Sequence, residues 1–144
     1  MDADDAGGGA GYGYFDHDAD VGIVGRGPDL ETAFVSAAKA MFALSTDIKT
    51  VRDKQRFEIQ FEEEDIEIAL VRWLNLLLAH AGDRHLALGR FSLRRDGAQW
   101  RGEAWGEPWR DGLERGTELK GATLTMLRVA RADGGWEARC VVDV

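Results

Sequence analysis

The sequence predicts an α+β domain in which two amphipathic helices pack on a largely antiparallel β-sheet. Three observations carry this: apolar stripes of helical period at 30–42 and 66–78, a strict period of two at 57–62, and alternating runs separated by turn residues from position 91 onward.

Residues 1–13 are mostly Asp, Ala and Gly and offer almost nothing to bury, so they read as a loose leader ahead of a domain at 14–144. Tyr14 and Phe15 introduce a short strand. Val21 and Ile23, with Gly22, Gly25 and Gly27, form a second extended stretch that closes on a Gly27-Pro28 turn. Asp29 is placed to cap a helix whose Leu30, Ala33, Phe34, Ala37, Ala38, Met41 and Phe42 fall on one stripe, ending near Leu44.

Phe57, Ile59 and Phe61 then alternate with Glu58, Gln60 and Glu62, as in a half-buried strand with an acidic outer face. Asp65 caps a second helix carrying Ile66, Ala69, Leu70, Trp73, Leu74, Leu77 and Leu78, with Gly82 as its expected stop. Strands follow around Phe91 and Leu93, from Trp100 to Gly106, over 119–129, and through Trp136, Ala138, Cys140 and Val142. Asp96-Gly97 and Asp133-Gly134 are expected to supply hairpin turns. There is no internal repeat and no sign of a second domain.

Composition bounds the function. At 144 residues, 44% apolar and 31% charged, the chain can build an ordinary core without a staple. A single cysteine, Cys140, cannot form an internal disulfide, and with no secretory leader ahead of it the expected compartment is the reducing cytosol. The most apolar stretch, 66–81, is interrupted by Glu67 and Arg72, which argues against a membrane span. A net charge of −8 and a pI near 4.9 argue against strong direct nucleic-acid binding, which relies on clustered Lys and Arg. Such a surface suits cations or a basic protein partner, and it also serves plain solubility.

Motifs for common chemistries are missing. The sequence has no phosphate-cradling glycine loop, no paired-cysteine zinc pattern and no nucleophile elbow. His80 and His85 fall where a helix ends and are assigned no role. Two places remain. His17-Asp18-Ala19-Asp20 sets carboxylates at the mouth of a strand, and Asp143-Val144 follows directly on the apolar run of the last strand. If the first and last strands are neighbours, Asp20, Asp143 and the carboxylate of Val144 converge. Crowded oxygens of one sign call for a hard cation such as Ca²⁺ or Mg²⁺. The same spacing also fits a simple turn beside a solvated terminus.

The stretch 17–22, His-Asp-Ala-Asp-Val-Gly, resembles the opening signature of the archease family. Ala40-Met41-Phe42 with Ser45-Thr46-Asp47, Trp73-Leu74-Asn75, Gly106-Glu107-Pro108, Thr117-Glu118-Leu119-Lys120, Gly134-Gly135-Trp136 and Val142-Asp143-Val144 are similar to later family motifs, in order. The resemblance implies a non-catalytic accessory protein that activates the GTP-dependent tRNA-splicing RNA ligase by promoting its guanylylation and turnover. It also implies a divalent ion, Ca²⁺ first and Mg²⁺ or Mn²⁺ as alternatives, held by Asp20, Asp143 and Val144. Asp18 and Asp47 are secondary acidic candidates, Asp47 serving equally well as a loop residue or cap, and His17 is a partner-facing candidate.

The chain departs from the family pattern at Asp18, where a threonine is usual, and at Leu124 and Thr125, where tyrosine and histidine are usual. The 109–116 loop also lacks the family's usual histidine. Two other function classes stand beside the activator: a chaperone-like interaction module, and a metal-dependent hydrolase, for which no nucleophile or base accompanies the carboxylates.

Overall fold

The computed structural model describes residues 9–144. The expected leader therefore lies largely outside the described residues. Its last three positions, 11–13, belong to the first strand, because Gly11, Tyr12 and Gly13 continue the ladder opposite Arg26, Gly25 and Val24.

The strands and helices run β1 (Gly11–His17), β2 (Asp20–Gly27), α1 (Leu30–Ala43), a short 3₁₀ turn (Ile48–Thr50), β3 (Gln55–Glu62), α2 (Ile66–Arg84), β4 (Leu86–Asp96), β5 (Gln99–Pro108), β6 (Gly121–Ala122), β7 (Arg128–Ala132) and β8 (Gly135–Asp143). They form two antiparallel sheets rather than one. The five-stranded sheet is ordered β1-β2-β8-β6 with β7 also on β8, and the three-stranded sheet is β3-β5-β4. The last strand neighbours β2, the strand that Asp20 begins, and not β1.

Local chemistry explains the boundaries. Asp29 Oδ1 accepts the Thr32 N–H at 2.7 Å and starts α1, and Asp65 accepts from Glu67 and Ile68 to start α2. α2 runs past Gly82 to Arg84. Its stop is His85, which takes the left-handed conformation (φ 55°) and donates its N–H to the last carbonyls. At Asp133-Gly134 both residues are left-handed, as a two-residue hairpin loop requires. The preceding hairpin differs by one position, its loop being 97–98 with Gly97 left-handed (φ 61°) and Asp96 still in β4.

The continuous strand expected over 119–129 is broken. Met126 is left-handed (φ 54°), and Val141 of β8 instead bonds to the loop, accepting the Thr123 N–H at 3.0 Å and donating to Thr125 O at 3.0 Å. Only Gly121–Ala122 and Arg128–Ala132 remain in register.

α1 packs against β2 and β8 of one sheet and β4 of the other. The approach to β2 is close enough that a Cβ at Gly25 would collide with the backbone of Ala33 and Ala37. Trp100 is stacked between Phe34 and Phe61, with centroids 5.1 and 5.9 Å away, and the buried Trp73 Nε1–H donates to Phe34 O at 3.0 Å. No helix among the described residues is long and apolar enough to cross a membrane.

Candidate metal centre

Side chains alternate across a strand, so register decides which of them share a face. Ile23 of β2 and Ala138, Cys140 and Val142 of β8 are buried in the core beneath α1. Asp20 and Asp143 are an odd number of positions from these and stand on the opposite face. Val21 pairs with Val142, so the same register sets Asp20 against Asp143, and His17 pairs with Asp20. The result is a cross-strand row of His17, Asp20 and Asp143 at one end of the sheet.

The C-terminal strand is held tightly here. Val144 packs its side chain against the core while its N–H donates to Asp20 Oδ1 at 3.4 Å. Lys120 N–H donates to Asp143 O at 2.9 Å, and Gly121 pairs with Asp143. β6 is fixed in turn by Asn75 of α2, whose Nδ2–H donates to Ala122 O at 3.0 Å and whose Oδ1 accepts the Ala122 N–H at 2.8 Å.

The donor set fits a hard cation. Two carboxylates across adjacent strands repel unless something positive lies between them, and oxygen donors suit Ca²⁺ or Mg²⁺. Asp20 is half-buried and Asp143 exposed. His17 is half-buried, and its Nδ1, on the residue directly across from Asp20, is buried without a hydrogen-bond partner. Among the described residues no three His, Cys, Asp or Glu side chains cluster as a metal-binding group; Asp20 and Asp143 are the two carboxylates of this row.

The secondary acidic positions fall elsewhere. Asp18 is exposed and left-handed (φ 51°) in the hairpin turn joining β1 to β2, a conformation Asp tolerates better than threonine, the family's usual residue there. Asp47 caps the 3₁₀ turn, accepting the Lys49 N–H at 3.1 Å, and lines a cavity of about 320 Å³ with Tyr12, Thr46 and Glu114. No bond among the described residues joins Asp47 to Asp20 or Asp143.

Two titratable groups are buried away from the row. Burial pushes the Cys140 thiol up to about 12, which keeps it protonated and unreactive. The Arg110 guanidinium and the Arg52 N–H hold Glu107 below the ordinary carboxylate value; they bond it at 2.7 Å each. Asn75 and the orphaned His17 nitrogen escaped the sequence reading. Asn75 interrupts no apolar period, so its only signal was its place in a motif.

The chain matches the archease protein family over residues 12–144. It is 36% identical over 134 residues to the protein archease of Sulfolobus acidocaldarius, covering 91% of this chain and 96% of that one. Against the protein archease of Methanothermobacter thermautotrophicus the identity is 33% over 138 residues, with 93% and 99% covered. The solution structure of Methanobacterium thermoautotrophicum protein 1598 superposes with a TM-score of 0.77 at 31% identity, covering 93% of this chain and 99% of that one.

Proposed function

The chain belongs to the archease family, and from that premise we propose that it binds a divalent cation and activates a GTP-dependent tRNA-splicing RNA ligase without catalysing a reaction itself. Family membership supports the broader role of an accessory protein in RNA processing. The observation that carries the finer reading is the bond from Val144 N–H to Asp20 Oδ1, which ties the two ends of the domain into one acidic spot.

In this reading Asp20, Asp143 and the carboxylate of Val144 hold the ion. The ion, Ca²⁺ first and Mg²⁺ or Mn²⁺ as alternatives, supplies a compact positive charge able to take further oxygen ligands. Asp20 and Asp143 place that charge on the sheet face left uncovered by α1, where a partner can reach it. His17 borders it.

Leu124 and Met126, 63% and 52% exposed, stand on the loop clamped to Val141, two residues before Asp143. They offer the partner apolar contact at and beside Leu124 and Thr125, the positions where other family members usually carry tyrosine and histidine. The partner's own residues perform the chemistry, and this chain helps order its nucleotide site.

Reconstitution with the RNA ligase of the same organism tests the reading. Ligase guanylylation and multiple turnover are expected to rise with this protein, and the rise to be lost with Asp20→Ala or Asp143→Ala. A ligase indifferent to the wild-type chain would sink the proposal, and equal binding to many unfolded proteins would favour a chaperone-like module instead.

A further inference from the structure

The sheet face that carries Asp20 and Asp143 also carries the opposite chemistry. Arg128 of β7 and Arg139 of β8 are direct cross-strand partners, so both guanidiniums rise from the same side. Arg139 lies an even number of positions from Asp143 along β8, which makes that side the one uncovered by α1.

Like charges directly opposite one another are unfavourable, and among the described residues no carboxylate pairs with either of them. Among the described residues neither arginine forms an ion pair, and Arg139 Nε is buried with no hydrogen-bond partner. The adjacent position shows the usual solution: Arg26 of β2 is matched across the ladder by Glu137 at 3.2 Å. A chain of net charge −8 has carboxylates in excess, yet among the described residues none forms an ion pair with either arginine.

Arg139 is also braced. Its guanidinium carbon lies 5.8 Å from the centroid of the Phe15 ring, and that ring fills the space above Gly22, where a Cβ would collide with it. Arg139 is thus held in place, its Nε–H meeting no acceptor among the described residues, beside the exposed Arg128.

We propose that Arg128 and Arg139 form an oxyanion site that binds a phosphate group. Planar guanidinium forks match the oxygens of a phosphate, and two of them side by side supply more donors than a single carboxylate can accept. The site is distinct from the acidic row, since four residues of strand separate Arg139 from Asp143 by roughly 13 Å. It rests on these contacts alone and not on the identity of any protein partner.

The test is a titration of the full chain with inorganic pyrophosphate and with GTP, in EDTA to close any route through a bound cation, followed by calorimetry and amide chemical shifts. Both ligands are expected to bind, with shifts centred on Arg128 and Arg139. Arg128→Ala and Arg139→Lys should each weaken binding about tenfold or more, while Arg94→Ala on the other sheet leaves it unchanged. Equal affinities assign the site to phosphate alone, and tighter GTP binding assigns it to a nucleotide. No binding of either ligand at millimolar concentration, or binding that survives Arg128→Ala at its exposed position, overturns the proposal.

Discussion

Val144 donates its main-chain N–H to Asp20 Oδ1 at 3.4 Å, across 124 positions of sequence. Antiparallel pairing of β2 with β8 brings the two residues together and sets Asp143 beside Asp20 on the same face. In the proposed function, a bound cation relieves the repulsion between two carboxylates so placed.

Replacing one of them should therefore have opposite effects with and without metal. Asp143→Asn is expected to be at least as stable as wild type in EDTA, by up to about 1 kcal/mol. In calcium the order reverses. Calcium at a hundred times its Kd should stabilise the wild type by about 2.7 kcal/mol, or roughly 5–10 °C in Tm for a domain of this size, and the variant far less. Thermal melts in calcium and in EDTA measure both; an undiminished calcium shift in the variant would place the ion elsewhere.

Asn75 connects α2 to the strand beside Asp143 through two bonds to Ala122. Asn75→Ala leaves both backbone groups of Ala122 without their partner and should cost about 1–3 kcal/mol. Because β6 pairs with the end of β8, calcium affinity should also fall several-fold. Denaturant unfolding and a calcium titration separate the two effects, and unchanged affinity would assign Asn75 to stability alone.

Glu107 is 1% exposed and bonded to Arg110 and to the Arg52 backbone, which lowers its proton affinity in the folded state. The folded protein then binds fewer protons than the unfolded chain near the ordinary carboxylate value of 4.5. The stabilisation is present above that value and is lost as pH falls through the depressed one. Glu107→Gln should be less stable than wild type at neutral pH, with the gap narrowing below pH 4.5. Urea unfolding of both proteins across this range tests the sign; a gap independent of pH would mean that packing, not charge, sets it.

Cys140 is fully buried, and its thiol is pushed from 9.0 up to about 12. Iodoacetamide at pH 8 should leave the native protein unlabelled and modify it only on unfolding. Stability should also decline as pH rises above 9.0, because only the unfolded chain ionises there. Rapid labelling of native protein would contradict the buried placement.

Much of this architecture is legible in local chemistry. The caps Asp29 and Asp65 and the alternation at Phe57, Ile59 and Phe61 appear in the structure where their residue types predict them. Asp133-Gly134 likewise turns where it should. Readings failed where tertiary contacts outweighed local preference. Gly82 is helical because the chain continues to His85, which pays the cost of a left-handed conformation instead. The 119–129 strand breaks because Val141 bonds to Thr123 and Thr125 rather than to a regular ladder.

The acidic row was legible only as two clusters of residues, since nothing in either stretch reveals that β2 lies beside β8. Asn75 and the buried His17 nitrogen gain meaning only from partners, or the lack of one, far from their neighbours in sequence.

The most direct test of the account is calorimetric titration of calcium into metal-stripped protein, comparing wild type, Asp20→Asn and Asp143→Asn with a chain carrying two residues appended after Val144. The account predicts one ion per wild-type chain, loss of binding in both Asn variants, and weaker binding in the extended chain, whose carboxylate is displaced. Calcium binding of equal strength in all four proteins, or no binding by the wild type, would contradict it.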